Sequence, residues 1–284
     1  MSGRETAYKE GKMKVFPLSI CLFLFINVTC AQEDPELIGP GLEIELISES
    51  TGVTPGRPLT LGLHIHHLPG FHTYWKSPGI VGMATSIEWS LPEGFTASKI
   101  RWPYPQNTFM SKYPCHGYER DVTLIVDITP PEQTTAKEVK FKAKSAWMCC
   151  AKGCFPGFET FEITLPVTYQ PKPIPSAKAR LSKAISELPS KKHNIEGIIQ
   201  SSPDQKMITL SFQGEFKRPL KEAYFFSSDG QISSDQKQKF VEEKNGSITL
   251  KIPRSEFSPE GKTTIPGVLK IGGRYLEIEA KPES

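Results

Sequence analysis

The chain has 284 residues, of which 38% are hydrophobic and 23% charged, so it can bury a real core in one large domain or two modest ones and is not a disordered chain. Lys and Arg number 34 against 31 Asp and Glu, and this near balance gives no sign of nucleic-acid binding. The 25 Pro and 22 Gly fit many short elements joined by turns. In chain order, the first 31 residues form a leader. Lys9, Lys12 and Lys14 precede an apolar run from Val15 to Ile26, and Thr29-Cys30-Ala31 supplies small residues before a polar segment. This is the layout of a secretory signal peptide cut after Ala31. Its apolar run is shorter than the roughly 20 residues of a membrane span. Met13 is an alternative start, and a lipid anchor on Cys30 is a competing reading. No later stretch approaches a span, so the mature chain is expected to be soluble and periplasmic or otherwise exported, with no membrane span once the leader is gone.

Residues 32–170 read as strands and turns. Leu42–Ile47, Leu59–Ile65, Asp121–Ile128, Val139–Lys144 and Phe158–Val167 alternate apolar and polar residues or are rich in β-branched ones. Turn signals such as Thr54-Pro55-Gly56, Leu68-Pro69-Gly70 and Pro92-Glu93-Gly94 separate them. That spacing predicts an antiparallel sandwich, and no strand–helix alternation suggests a thioredoxin-like or Rossmann unit. Residues 171–193 hold a Pro-rich linker and one short helix over Ser176–Leu188, with Ser176 as its expected cap. Residues 194–284 return to strands, with Met207–Phe212, Ser247–Ile252 and a closing hairpin across Gly272-Gly273. They read as a second, smaller β-domain without chemistry of its own.

Four cysteines remain after the leader: Cys115, Cys149, Cys150 and Cys154. In an exported protein they can form disulfides, and sequence alone does not choose among three full pairings. Strand alternation from Val139 puts Cys149 on the apolar face and opens Cys150 toward the polar one. Three residues lie between Cys150 and Cys154, with Gly153 expected to permit the turn and Lys152 placed to favour a thiolate. A bridge closing so short a loop restricts the unfolded chain by about 2 kcal/mol, against about 4 kcal/mol for one from Cys115 to Cys150. A short bridge is therefore better suited to opening and closing than to stapling, although spacing alone leaves a permanent bridge equally open.

Several stretches in order resemble one family. They are Phe71-His72-Thr73-Tyr74-Trp75-Lys76-Ser77-Pro78-Gly79, Thr85-Ser86-Ile87-Glu88-Trp89, Trp102-Pro103-Tyr104-Pro105, Gly117-Tyr118-Glu119 and Trp147–Gly157. Together they are similar to the N-terminal periplasmic, or disulfide-corrector, domain of the DsbD/ScsB thiol-disulfide reductases, over about residues 40–168. The resemblance implies an immunoglobulin-like sandwich, with Cys150 and Cys154 as the redox pair. It implies electrons received from a membrane-embedded thiol reductase and passed to oxidised clients, with thioredoxin-like periplasmic proteins as partners and no cofactor. A cap loop shields the pair in such domains, and Phe109, Met110 and Tyr113 fall in its place. His72 and Tyr74 fall in a family motif expected near the pair. This chain differs in ending at Ser284 without a transmembrane or thioredoxin-like part, which implies either separate partners or loss of the relay. It also carries Cys115 and Cys149, with Cys115 open to three roles: a third exchanging thiol, a partner for Cys149, or an idle residue.

The rival readings are a copper site and a binding module whose bridge never turns over. Cys115, His116, Met148, Cys149, Cys150 and Cys154 supply soft ligands suited to Cu(I). His64, His66 and His67 form a second cluster, with His64 and His66 on one strand face, where solvent-facing imidazoles are the plainer explanation. The CxxC pairs of zinc sites are absent, as are hydrolase patterns such as GxSxG and HExxH.

Overall fold

The computed structural model describes residues 41–200 and 206–283; the leader expected at residues 1–31 lies outside the described residues. The first ten strands are β1 (Leu42–Ser48), β2 (Leu59–His67), β3 (Thr73–Gly79), β4 (Ser86–Ser90), β5 (Thr96–Ala97), β6 (Gln106–Met110), β7 (Tyr113–Tyr118), β8 (Val122–Thr129), β9 (Glu138–Cys150) and β10 (Cys154–Pro166). They form a four-stranded sheet in the order β1-β2-β8-β5, a three-stranded sheet β10-β9-β4, and a small sheet β3-β7-β6. Alternation along the strands builds the core. Leu59 and Leu61 of β2 and Val126 and Ile128 of β8 meet Val139 and Phe141 of β9 and Leu165 of β10, all buried. The two larger sheets thus face one another as an all-β, immunoglobulin-like sandwich.

Helix α1 spans Pro175–Ser186, close to the expected range. Ser176 does not cap it: Ile174 is the N-cap residue and makes no side-chain cap bond. Pro175 occupies the first turn instead, where a missing N–H costs nothing. Ala177, Leu181 and Ala184, at helical spacing, pack on Ile47 of β1 and Ile125 of β8. Gly62 of β2 makes the close approach possible, since a Cβ there would lie 2.5 Å from Thr123 Cγ2 and 2.9 Å from Leu181 Cδ2.

The remaining strands are β11 (Glu196–Ile199), β12 (Met207–Gln213), β13 (Ala223–Ser227), β14 (Lys239–Glu242), β15 (Ile248–Pro253), β16 (Ile265–Ile271) and β17 (Arg274–Pro282). They join in one sheet ordered β13-β16-β17-β11-β12-β15-β14, around a core that includes Leu210, Phe212, Phe225, Leu250 and Leu269. The closing hairpin turns across Gly272 and Gly273, whose φ values of 53° and 74° are those of a type I′ turn's two central residues. Phe226 and Val268 of this sheet share a buried cluster with Leu63, Ile65, Trp75 and Tyr118.

Candidate functional site

The site lies where the β9–β10 hairpin turns. Cys150 and Cys154 pair directly across it, are disulfide-bonded, and have Cα atoms 4.2 Å apart. The backbone explains the fit. Cys150 N–H donates to His72 O at 3.0 Å, and His72 N–H donates to Cys150 O at 2.9 Å. Both backbone groups of Cys150 therefore point away from β10. Against Cys154 it forms a non-hydrogen-bonded pair, the closer of the two antiparallel spacings, with Cα atoms about 4.5 Å apart. The turn does not depend on Gly153. That residue is absent from the positive-φ glycines, and a Cβ there would come no nearer than 3.7 Å to another group.

The two sulfurs have different surroundings. Cys154 is exposed, beside exposed Lys152. Cys150 is 0% exposed, contrary to the expectation that it opens toward the polar face. β9 buries its alternate residues as expected up to Cys149, but Cys150 is covered from the other side by a cluster containing Tyr74 and Cys115, with Met110 and Met148 packed against it. Alternation within one strand carries no signal for a second sheet folding over that strand's end.

Tyr74 O–H donates to Cys150 Sγ at 3.0 Å. His72 Nε2 lies 3.3 Å from the same hydroxyl oxygen. Burial pushes the Tyr74 phenol well above its ordinary pKa, and the nearby Cys115 and Cys149 push it further in that direction. Burial also lowers His72, opposed by Glu119. The phenol thus keeps its proton and donates a hydrogen bond to sulfur, and a neutral His72 protonated at Nε2 donates to the phenol oxygen. The chain His72–Tyr74–Cys150 is poised to stabilise negative charge on Cys150.

The β6–β7 hairpin stands over the pair. Met110 ↔ Tyr113 closes it, with Ser111 at φ 57° in its tip. Met110 reaches the Cys150 cluster, whereas Phe109 and Tyr113 are 59% and 41% exposed. The shielding side chain in this conformation is the methionine, with the two aromatic candidates turned to solvent. Cys149 is buried on the opposite side of β9 with Phe71 and Trp147, and burial raises its thiol to about 12. Cys115 is buried on the Cys150 side, its thiol raised by burial to about 11 while a hydrogen bond from the Met110 backbone opposes the shift.

The C-terminal sheet supports this assembly, which the sequence reading did not anticipate. Tyr224 OH lies 3.0 Å from His116 Nε2 on β7. Ser234 Oγ donates to Pro114 O at 2.8 Å and accepts from Ile80 N–H at 3.0 Å.

Of the copper donors, Cys115 and Cys150 share one buried cluster with Met148 packed against it, and the others lie apart or are engaged elsewhere. Cys150 and Cys154 are bonded to each other, Cys149 faces the Phe71 cluster, and His116 packs on Tyr224 and Phe226. His64 Nδ1 pairs with Thr123 Oγ1 and His66 Nδ1 with Asp121, each at 2.9 Å, while buried His67 pairs with Arg120 O and Thr73 Oγ1. Among the described residues, no group of three or more His, Cys, Asp or Glu is arranged to hold a metal ion.

Fold and site together define an all-β thiol-disulfide exchange module, with one sulfur of its bridge exposed and the other enclosed. Residues 46–166 match the family described as "Thiol:disulfide interchange protein DsbD, N-terminal". No curated protein sequence matches the chain. Among solved structures, the N-terminal periplasmic domain of ScsB from Proteus mirabilis is similar, with TM-score 0.62 and 14% identity over 87% of this chain and 95% of that one. Coverage of that extent takes the likeness in fold beyond residue 166 into the C-terminal sheet. A marsupial T cell receptor also aligns over 87% of this chain and 99% of its own, at 14% identity, but its TM-score of 0.20 carries no argument. Among the described residues, no helix is long and apolar enough to cross a membrane.

Proposed function

We propose that this protein is an exported disulfide-exchange carrier. It takes electrons from a membrane-embedded thiol reductase and passes them to oxidised clients, among them thioredoxin-like proteins, through Cys150 and Cys154. The observation that carries this reading is the asymmetry of the bridge: an exposed residue, Cys154, bonded to an enclosed one, Cys150, whose sulfur already accepts a hydrogen bond from Tyr74.

In loading, a donor thiolate attacks Cys154 Sγ, the only half of the bridge facing solvent. The Cys150–Cys154 bond breaks as the donor–Cys154 bond forms, and Cys150 leaves as a thiolate under the Tyr74 hydroxyl. The donor's second thiolate then attacks the donor sulfur of the mixed disulfide and releases Cys154. The donor ends oxidised, and this chain has gained two electrons and two protons. In delivery, the Cys154 thiolate attacks a client disulfide, and Cys150 resolves the mixed disulfide by attacking Cys154 Sγ. The bridge re-forms and the client leaves reduced.

Serine at either position separates the roles. Cys150→Ser is expected to accumulate a stable mixed disulfide through Cys154, while Cys154→Ser forms none and exchanges nothing. Trapping with an oxidised thioredoxin-like protein on non-reducing gels reads both. Adducts through Cys150 in the Cys154→Ser protein, or undiminished exchange in either variant, would contradict the assignment.

A further inference from the structure

Cys115 is buried in the same cluster as Cys150 and Tyr74, and Met110, which packs on that cluster, also hydrogen-bonds the Cys115 sulfur through its backbone. Cys149 lies in a different cluster, with Phe71 and Trp147. Of the two free cysteines among the described residues, Cys115 therefore packs beside the enclosed half of the bridge. An outside thiol cannot reach Cys150, which is 0% exposed; a thiol buried beside it can.

We propose that Cys115 is a third member of the exchange site, isomerising the bridge from Cys150–Cys154 to Cys115–Cys150. This extends the exchange reading given above. The Cys115 thiolate attacks Cys150 Sγ, the Cys115–Cys150 bond forms as the Cys150–Cys154 bond breaks, and Cys154 departs toward solvent. The proton lost by Cys115 is balanced by the one Cys154 takes up from water. No electrons enter or leave, so the step needs no oxidant or reductant.

Its consequence is a free, solvent-facing Cys154 thiol in a protein that still holds one disulfide. Such a form can attack a client disulfide before any electrons arrive from a donor. The new bridge also ties β7, and with it the cap hairpin, to the end of β9. The chain would then alternate between a closed carrier and a form able to open and reshuffle client disulfides.

The test uses the fully oxidised full-length mature chain, held native with a maleimide and sampled over hours for non-reducing peptide mapping. The expected result is progressive labelling of Cys154, with loss of the Cys150–Cys154 peptide and matching gain of a Cys115–Cys150 peptide. In Cys115→Ala, checked by melting to be folded, Cys154 labelling should fall at least tenfold. Cys154 that stays unlabelled in the wild type, or is labelled equally fast in both proteins, would overturn the proposal. Opening of the bridge by dithiothreitol, measured on the same samples, reports separately on the carrier reading. A bridge that resists reduction defeats the carrier while leaving the maleimide result to decide the isomerisation.

Discussion

Tyr74 is where a single atom matters most. Its hydroxyl is the hydrogen-bond donor to the Cys150 sulfur, and that sulfur becomes anionic as the bridge opens. Hydrogen bonds to charged groups are worth about 1.5–3 kcal/mol. Tyr74→Phe should therefore slow reductive opening by dithiothreitol about 10- to 100-fold, read by stopped-flow. An unchanged rate would remove the phenol from the chemistry. The pairing of Cys150 with Cys154 is legible from spacing and resemblance, whereas the different fates of the two sulfurs are not. Period-two alternation places Cys149 inward and Cys150 outward, and it is correct about the strand. What encloses Cys150 is Tyr74, Met110 and Cys115 from three other strands, β3, β6 and β7, a long-range arrangement with no local signature. Gly153 is the opposite case, a glycine that looks indispensable in sequence and sits in a backbone conformation other residues adopt.

The strands with clean alternation, β1, β2, β8 and β9, are visible in sequence. The short β3, β6 and β7 that stand around the pair are not, because Pro78, Pro114, His116 and Gly117 interrupt β3 and β7, and β6 is short and largely polar. β3 is bulged between Tyr74 and Gly79, and the cap hairpin is held by backbone pairing around residues that read as loop. The helix shows how a strand element is tuned to its neighbour. Gly62 leaves room for Leu181, so Gly62→Ala should cost about 1–3 kcal/mol by overpacking. Chemical denaturation reads that loss, and the dithiothreitol opening rate should not change with it. No loss of stability would show that α1 is not seated on β2 as described.

Across the whole molecule, the C-terminal sheet braces the site. His116 bridges β7 to Tyr224, Trp75 packs edge-on to Phe226, and Tyr104 stacks on Tyr275 at 3.8 Å. This contact network makes the C-terminal sheet part of the scaffold around the pair, a role its lack of cysteines conceals. It also sets a pH dependence. Burial lowers His116 to about 4, opposed by its hydrogen bond to Ser77, and lowers His67 to about 4, opposed by Arg120 O and Asp121. Both are neutral when folded and take up protons more readily unfolded, near the ordinary 6.5. Their full contribution is present above about pH 6.5 and is lost as pH falls toward 4, by up to about 3 kcal/mol each. The melting temperature should therefore drop between pH 7 and pH 5. A rise, or no change, would contradict the neutral buried state of these two residues.

The most direct test of the exchange assignment is a redox titration of the mature protein in metal-free buffer, with alkylation and peptide mapping of all four cysteines at each potential. Cys150 and Cys154 are expected to open and close together, reversibly and above about −300 mV, while Cys149 stays a thiol throughout. A Cys150–Cys154 bridge that resists reduction well below that potential would contradict it, and the hairpin would then be a fixed staple in a binding module.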